Sequence, residues 1–289
     1  MTTPQLVFLV AVVALFAALA WWLTAKRRRD AAALASDFPP RWRKELTQRV
    51  AFYRALNQAD KARFEQRMQL FLARTAITGI ETEVDDVTRV LVAASAVIPI
   101  WGFPDWEYPN LNEVLIVPDA WAEKADPDRE FHGLQGTLLG AVQGFGDGDQ
   151  YMRLSKAALE RGFRDWQNGE NVGIHEFAHL LDHADGGIDG TPGLTLPDEL
   201  RPVWADVARR ELARVQNGGG ILDAYAGTNE AELFAVATEM FFENPDKLAQ
   251  HHPELYDLLT RALAQHPPAA SGFARLRRGL RRAGGRRGG

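Results

Sequence analysis

The longest apolar stretch runs from Leu6 to Ala25 (LVFLVAVVALFAALAWWLTA), twenty residues without a charge. As a helix it would be about 30 Å long, matching the hydrocarbon layer of a bilayer. A cleavable signal peptide carries its basic residues ahead of the apolar core; here the first four side chains are neutral and Lys26, Arg27, Arg28 and Arg29 come after it. The pattern predicts a single-pass anchor within residues 1–29, with Trp21 and Trp22 at the inner interface and the rest of the chain in the cytoplasm. Asp30–Pro40 reads as a linker ending in two helix-disfavouring prolines.

Beyond it the spacing is helical. Trp42, Leu46, Val50, Tyr53 and Leu56 predict one amphipathic helix, and Asp60 is placed to cap a second that carries Phe64, Met68, Phe71 and Leu72. A third spans Asp86–Ala96 and stops before Pro99. Trp101–Pro109 reads as an ordered loop. Val114–Val117 and Tyr151–Leu154 are short β runs, and Ser155 is placed to cap a helix containing Ala157–Gly162. The six glycines of Gly133–Gly148 are too many for a helix interior, and no phosphate-loop motif accompanies them. Further helices are expected at Leu200–Val215, at Asp223–Phe242 and from Pro245 through Leu259, where His251 and His252 read as surface residues. The glycine and arginine block 268–289 is low in complexity and reads as disordered. The whole is an α+β, mostly helical domain over residues 41–267 with a small sheet.

Chemistry enters at Asn171–Gly186, NVGIHEFAHLLDHADG. His175 and His179 are one helical turn apart, so both imidazoles can meet one metal ion while Glu176 sits beside it. A catalytic zinc site takes three protein ligands and leaves a position for water. Asp223–Phe242 offers the third: Leu233, Phe234, Val236, Ala237, Met240 and Phe241 recur at helical spacing, with Glu232 and Glu239 seven apart on one face. Glu232 is chosen over Glu230 and Glu239, and Glu239 reads as a solvated or core-edge carboxylate. Asp182, seven residues after His175 and three after His179, is the candidate outer partner of a ligand histidine. In zinc peptidases a strand above the metal pairs with extended substrate; part of Gly136–Gly146 reads either as that edge or, equally, as a hairpin with flexible turns.

Composition narrows the partners. The chain has 289 residues and no cysteine, which excludes disulfides and thiolate ligands. Its net charge of −5 hides a segregation: four basic residues lie at 26–29 and seven arginines after 270, leaving 22 basic against 38 acidic groups between them. So acidic a body is unsuited to nucleic acid.

HEFAHLLD followed by DAYAGTNEAELFAV resembles the Mlc titration factor A family of bacterial zinc peptidases, whose catalytic domain is similar to that of anthrax lethal factor. The segments LVAASAVIPIWGF, VLIVPDAW, GLQGTLLGAVQGFGDGDQYMRLS and FFENP extend the likeness over roughly residues 40–267. The resemblance implies a zincin-like (gluzincin) domain with one Zn2+ on His175, His179 and Glu232 and with Glu176 as general base. It also implies a transition-state hydrogen bond from Tyr225, seven residues before the third ligand. Several related zincins carry an acid four residues after that ligand; here Val236 stands there. The expected function is a membrane-anchored, zinc-dependent peptidase on the cytoplasmic face of the bacterial inner membrane, acting on peptides or proteins. The alternative implied by the family is a regulator that sequesters a transcriptional repressor, with peptidase activity secondary.

Overall fold

Three helices that are apolar around most of their circumference form the centre, as expected of helices with no face left to solvent. They are α5 (Asp86–Val97), buried throughout Val90–Val97; α7 (Val172–Asp182), buried from Gly173 onward; and α9 (Glu230–Glu243), buried from Ala231 onward. Helix α7 packs against both others. The computed structural model describes Trp21 and residues 24–108, 111–119, 121–122, 137–138, 140–143 and 150–267. The expected anchor, apart from Trp21, Thr24 and Ala25, lies outside the described residues, as do Gly136, Gly144, Gly146 and the 268–289 tail. No helix among the described residues is long and apolar enough to cross a membrane.

Around this centre the chain runs α1 (Ala25–Ala35), α2 (Pro40–Arg49), α3 (Ala51–Arg54), α4 (Gln58–Arg74), β1 (Ala76–Gly79) and α5. Strands β2 (Leu111–Val117), β3 (Trp121–Ala122), β4 (Thr137–Leu138), β5 (Gly140–Gln143) and β6 (Gln150–Ser155) precede α6 (Lys156–Arg164) and α7. Helices α8 (Arg201–Gln216), α9, α10 (Pro245–His251) and α11 (Pro253–Ala262) close the described chain. The main sheet has the order β1-β2-β6-β5, with β1, β2 and β6 parallel and β5 antiparallel at its edge; β3 and β4 form a separate pair. The mostly helical α+β expectation holds.

Several local expectations are corrected. Residues 30–35 are helical rather than a linker: α1 is held by a two-bond pair from Arg74 to Asp30 (2.8 and 2.7 Å) and by Gln69 donating to the Ala33 and Ser36 carbonyls (3.2 and 2.7 Å). The single helix expected over Trp42–Leu56 breaks at Val50, whose extended backbone separates α2 from α3. Asn57, not Asp60, caps α4: its side chain accepts the Asp60 N–H (2.9 Å), which puts Asp60 inside the first turn. The last helix is two, divided at His252. Ser155 does cap α6, accepting the Ala158 N–H (3.1 Å).

Candidate metal centre

Asn171 starts α7 by accepting the Ile174 N–H (3.2 Å), and Asn229 starts α9 by accepting that of Glu232 (2.9 Å). These two caps fix the helical phase, and therefore the faces on which His175, His179 and Glu232 lie. The three side chains meet in the interior between α7 and α9, all buried. His175 Nε2 lies 3.1 Å from Glu232 Oε2 and 3.1 Å from His179 Nε2, and His179 Nε2 is 3.4 Å from the same Glu232 oxygen. Ligands about 2.0–2.1 Å from a tetrahedral ion stand about 3.3 Å apart, so these separations are the edges of a zinc-sized coordination face. Two imidazole nitrogens and one carboxylate also form a donor set that zinc accepts.

The outer nitrogen of His175 has a carboxylate beside it. Nδ1 lies 2.7 Å from Glu239 Oε1, and an N–H donated there would leave Nε2 as the nitrogen to face a metal ion once its own proton is displaced. Glu239 also accepts the backbone N–H of Asn171. One turn farther on, Glu243 accepts the Asn171 side-chain amide (3.2 Å) and the Gln167 N–H (2.8 Å). Three carboxylates along one stripe of α9 thus bind the cap and the first turn of α7. Glu239 is the residue that sequence reasoning misplaced: it is buried, not solvated, and its signal was the seven-residue spacing from Glu232.

Electrostatics make the centre a seat for a cation. Burial by itself would lower the His175 pKa, but Glu239 and Glu232 outweigh it and raise the value well above the usual one. Burial by itself would raise Glu232, yet the bonds from His175 and His179 hold it below the ordinary carboxylate range. What favours a proton there favours a metal ion equally, and the two compete. Glu176 follows His175 on α7 and is buried. Burial chiefly, with Glu232 and Glu239 adding to it and His175 opposing, pushes its carboxyl up to about 8.

Tyr225 lies in the 3₁₀ turn Ala224–Gly227, with its ring centroid 5.9 Å from that of His175. Asp182 is buried, but its Oδ2 accepts the Gly190 N–H (2.9 Å), tying the turn-rich insert to the end of α7; the outer partner of a ligand histidine placed by the structure is Glu239, on the facing helix. His252 is fully buried, which corrects the surface expectation: Nδ1 is 2.7 Å from Glu211 Oε2, and Nε2 accepts the Ile221 N–H (3.3 Å) in the loop leading to Tyr225. Strand β5 packs near α7 at the sheet edge, within the stretch expected to line a substrate.

Comparison with known proteins bears on the same helices. The model of the family described as glucose-regulated metallo-peptidase M90 matches residues 22–263. An uncharacterised protein of Synechocystis sp. is 29% identical over 249 residues, 83% of this chain and 89% of its own length. Mlc titration factor A of Yersinia pestis is 37% identical over 119 residues, 38% of this chain and 42% of that protein, and the Yersinia pseudotuberculosis protein of the same name matches to the same extent. Less than half of the Yersinia proteins is thereby aligned. The family match covers most of the chain and includes both helices of the histidine and glutamate cluster, so this chain belongs to the glucose-regulated metallo-peptidase M90 family, as a relative of the Mlc titration factor A proteins.

Proposed function

We propose that the protein is a zinc-dependent peptidase in which His175, His179 and Glu232 hold the metal. The observation that carries this reading is the set of 3.1–3.4 Å separations among three buried ligand atoms from α7 and α9. A zinc ion there supplies Lewis acidity to a water and to the scissile carbonyl. Glu176, next in sequence to His175 and buried beside the cluster, takes the proton of the attacking water and returns it to the leaving amine. Glu239 holds His175 in the ligating tautomer. The Tyr225 hydroxyl donates to the carbonyl oxygen as charge develops on it. Strand β5, the edge strand of its sheet among the described residues, offers backbone groups to an extended peptide.

The test combines zinc content by elemental analysis with hydrolysis of a mixed peptide library, for wild type and Glu176→Gln. One equivalent of zinc in both proteins, with cleavage by the wild type alone and a loss of at least about a hundredfold in the variant, is expected. Zinc in neither would undo the site assignment.

A second reading, capture of a transcriptional repressor with peptidase activity secondary, is favoured by the likeness to proteins named Mlc titration factor A. Capture would survive Glu176→Gln, whereas a proteolytic role would not. The apolar run Leu6–Ala25 closed by Lys26–Arg29 supports tethering to the inner face of a bacterial membrane. A reporter fused after Gly289 that works solely in the periplasm would overturn that topology.

A further inference from the structure

A cavity of about 540 Å³ lies between α1, α4 and the loop before β2, lined by Lys26 and Arg29 from α1, Arg67 and Arg74 from α4, and Trp106 and Tyr108 from the loop. Its size falls within the range of small-molecule sites. Part of its charge is internally matched. Arg74 pairs with Asp30 and, at 2.8 Å, with Glu107, which Lys26 also contacts. Arg67 and Arg29 remain. The Arg67 guanidinium, recessed in the wall, donates to the Trp101 and Phe103 carbonyls (3.2 and 2.8 Å) and has no carboxylate partner among the described residues. Burial chiefly pulls it down to about 10, with Arg63 adding to that and Tyr108 and Asp105 opposing it, so the nearby Asp105 offsets the cost of burial only in part. Arg29, exposed at the mouth, likewise has no ion pair among the described residues. Asp105 is the one further lining carboxylate. In the same wall Trp106 Nε1 is a buried donor with no acceptor among the described residues.

We propose that this cavity binds a phosphate group carried on a partly apolar molecule, with Arg67, Arg29 and the Trp106 indole N–H as its donors. These donors come from three separate segments, α1, α4 and the loop before β2, and three donors suit the several oxygens of a tetrahedral phosphate better than the two of a planar carboxylate. The apolar remainder of the ligand lies against Phe71, Val97 and Ile100. Phe71 and Tyr108 pack on Phe177 of α7, with centroids 5.7 and 4.9 Å away, so the site touches the back of the helix that carries the two histidines. A phospholipid headgroup or a soluble phosphate ester supplies this chemistry; the lipid source rests on the anchor reading of Leu6–Ala25.

Full-length protein in detergent is titrated with dihexanoyl phosphatidylglycerol, with glycerol phosphate, and with dihexanoylglycerol, which lacks phosphate, by tryptophan fluorescence and thermal shift. Arg67→Gln and Arg29→Gln are expected to weaken binding about tenfold each, and Arg27→Gln, an exposed change on the same helix away from the cavity, to leave it unaltered. Saturation by the phospholipid alone assigns the lipid source; saturation by glycerol phosphate with the same variant pattern assigns a soluble ester. The proposal falls if neither phosphate compound saturates, if dihexanoylglycerol binds equally, or if Arg27→Gln is as damaging as Arg29→Gln. Because Arg29 is exposed, that variant keeps the test meaningful should Arg67→Gln fail to fold. Zinc content and peptide hydrolysis of the same samples are read separately, so an inactive protein would still answer this question.

Discussion

A carboxylate on the outer nitrogen of a ligand imidazole fixes the tautomer and raises the basicity of the inner nitrogen, and Glu239 stands in that position behind His175. Glu239→Gln is expected to lower zinc affinity roughly 10–100-fold, measured by competition with a chromophoric chelator. An unchanged affinity would reduce Glu239 to a helix-packing residue. Glu243, one turn farther along α9, titrates in a different way. Burial, against the bonds from Gln167 and Asn171, pushes its carboxyl up to about 7, above its unfolded value. The folded protein therefore holds this proton more tightly than the unfolded chain does, and stability falls as pH climbs from about 4.5 to 7 and stays lowered above that. Glu243→Gln removes the charge. Its melting temperature relative to wild type should be more favourable at pH 8 than at pH 4.5, and a difference flat across pH would contradict the assignment.

Elements meet here at points where a single added carbon does not fit. Gly190 has φ +76°, and a Cβ there would stand 2.2 Å from the Glu230 carbonyl oxygen at the start of α9. Neither the backbone conformation nor the neighbouring main chain can yield cheaply. Gly190→Ala should cost at least about 2 kcal/mol in denaturant unfolding, and should weaken zinc binding as well because the third-ligand helix begins at the clash. At Gly173 a Cβ would stand 2.0 Å from Ser95 Oγ, where α7 crosses α5, so close helix approach explains that glycine. Burial of His252 belongs to the same scale: its ring bridges Glu211 on α8 to the loop ahead of Tyr225, a contact between segments distant in sequence.

For the whole molecule, a metal held by His175, His179 and Glu232 would be coupled to the fold, because these three buried residues come from two different helices. Stripping zinc with a chelator should lower the melting temperature, and zinc at a thousandfold over its dissociation constant should restore about 4 kcal/mol. A melting temperature indifferent to chelator and to added zinc would mean that the centre holds no such ion. Helix α1 extends the folded body back to Ala25, the last residue of the long apolar run, and is docked on α4 through the Arg74–Asp30 pair rather than hanging as a free linker.

How much of this was legible beforehand follows from range. Helical phase is local, so the apolar spacing around His175 and His179, and that around Glu232, placed both helices and the three residues that meet between them from the chain alone. Cap identity was less secure, since Asn57 and Asp60 are both good cap residues and the competition between them is decided by which backbone N–H each can reach. Depth was not legible at all for the isolated polar residues. Glu239 reads as a solvated or core-edge carboxylate and His252 as a surface residue, and both are buried because segments tens of residues away bring the donors and acceptors that satisfy them. The cationic cavity depends on long-range packing too: its walls come chiefly from α1, α4 and the loop before β2, and no spacing within any one of them announces that Arg67 and Arg29 line the same space.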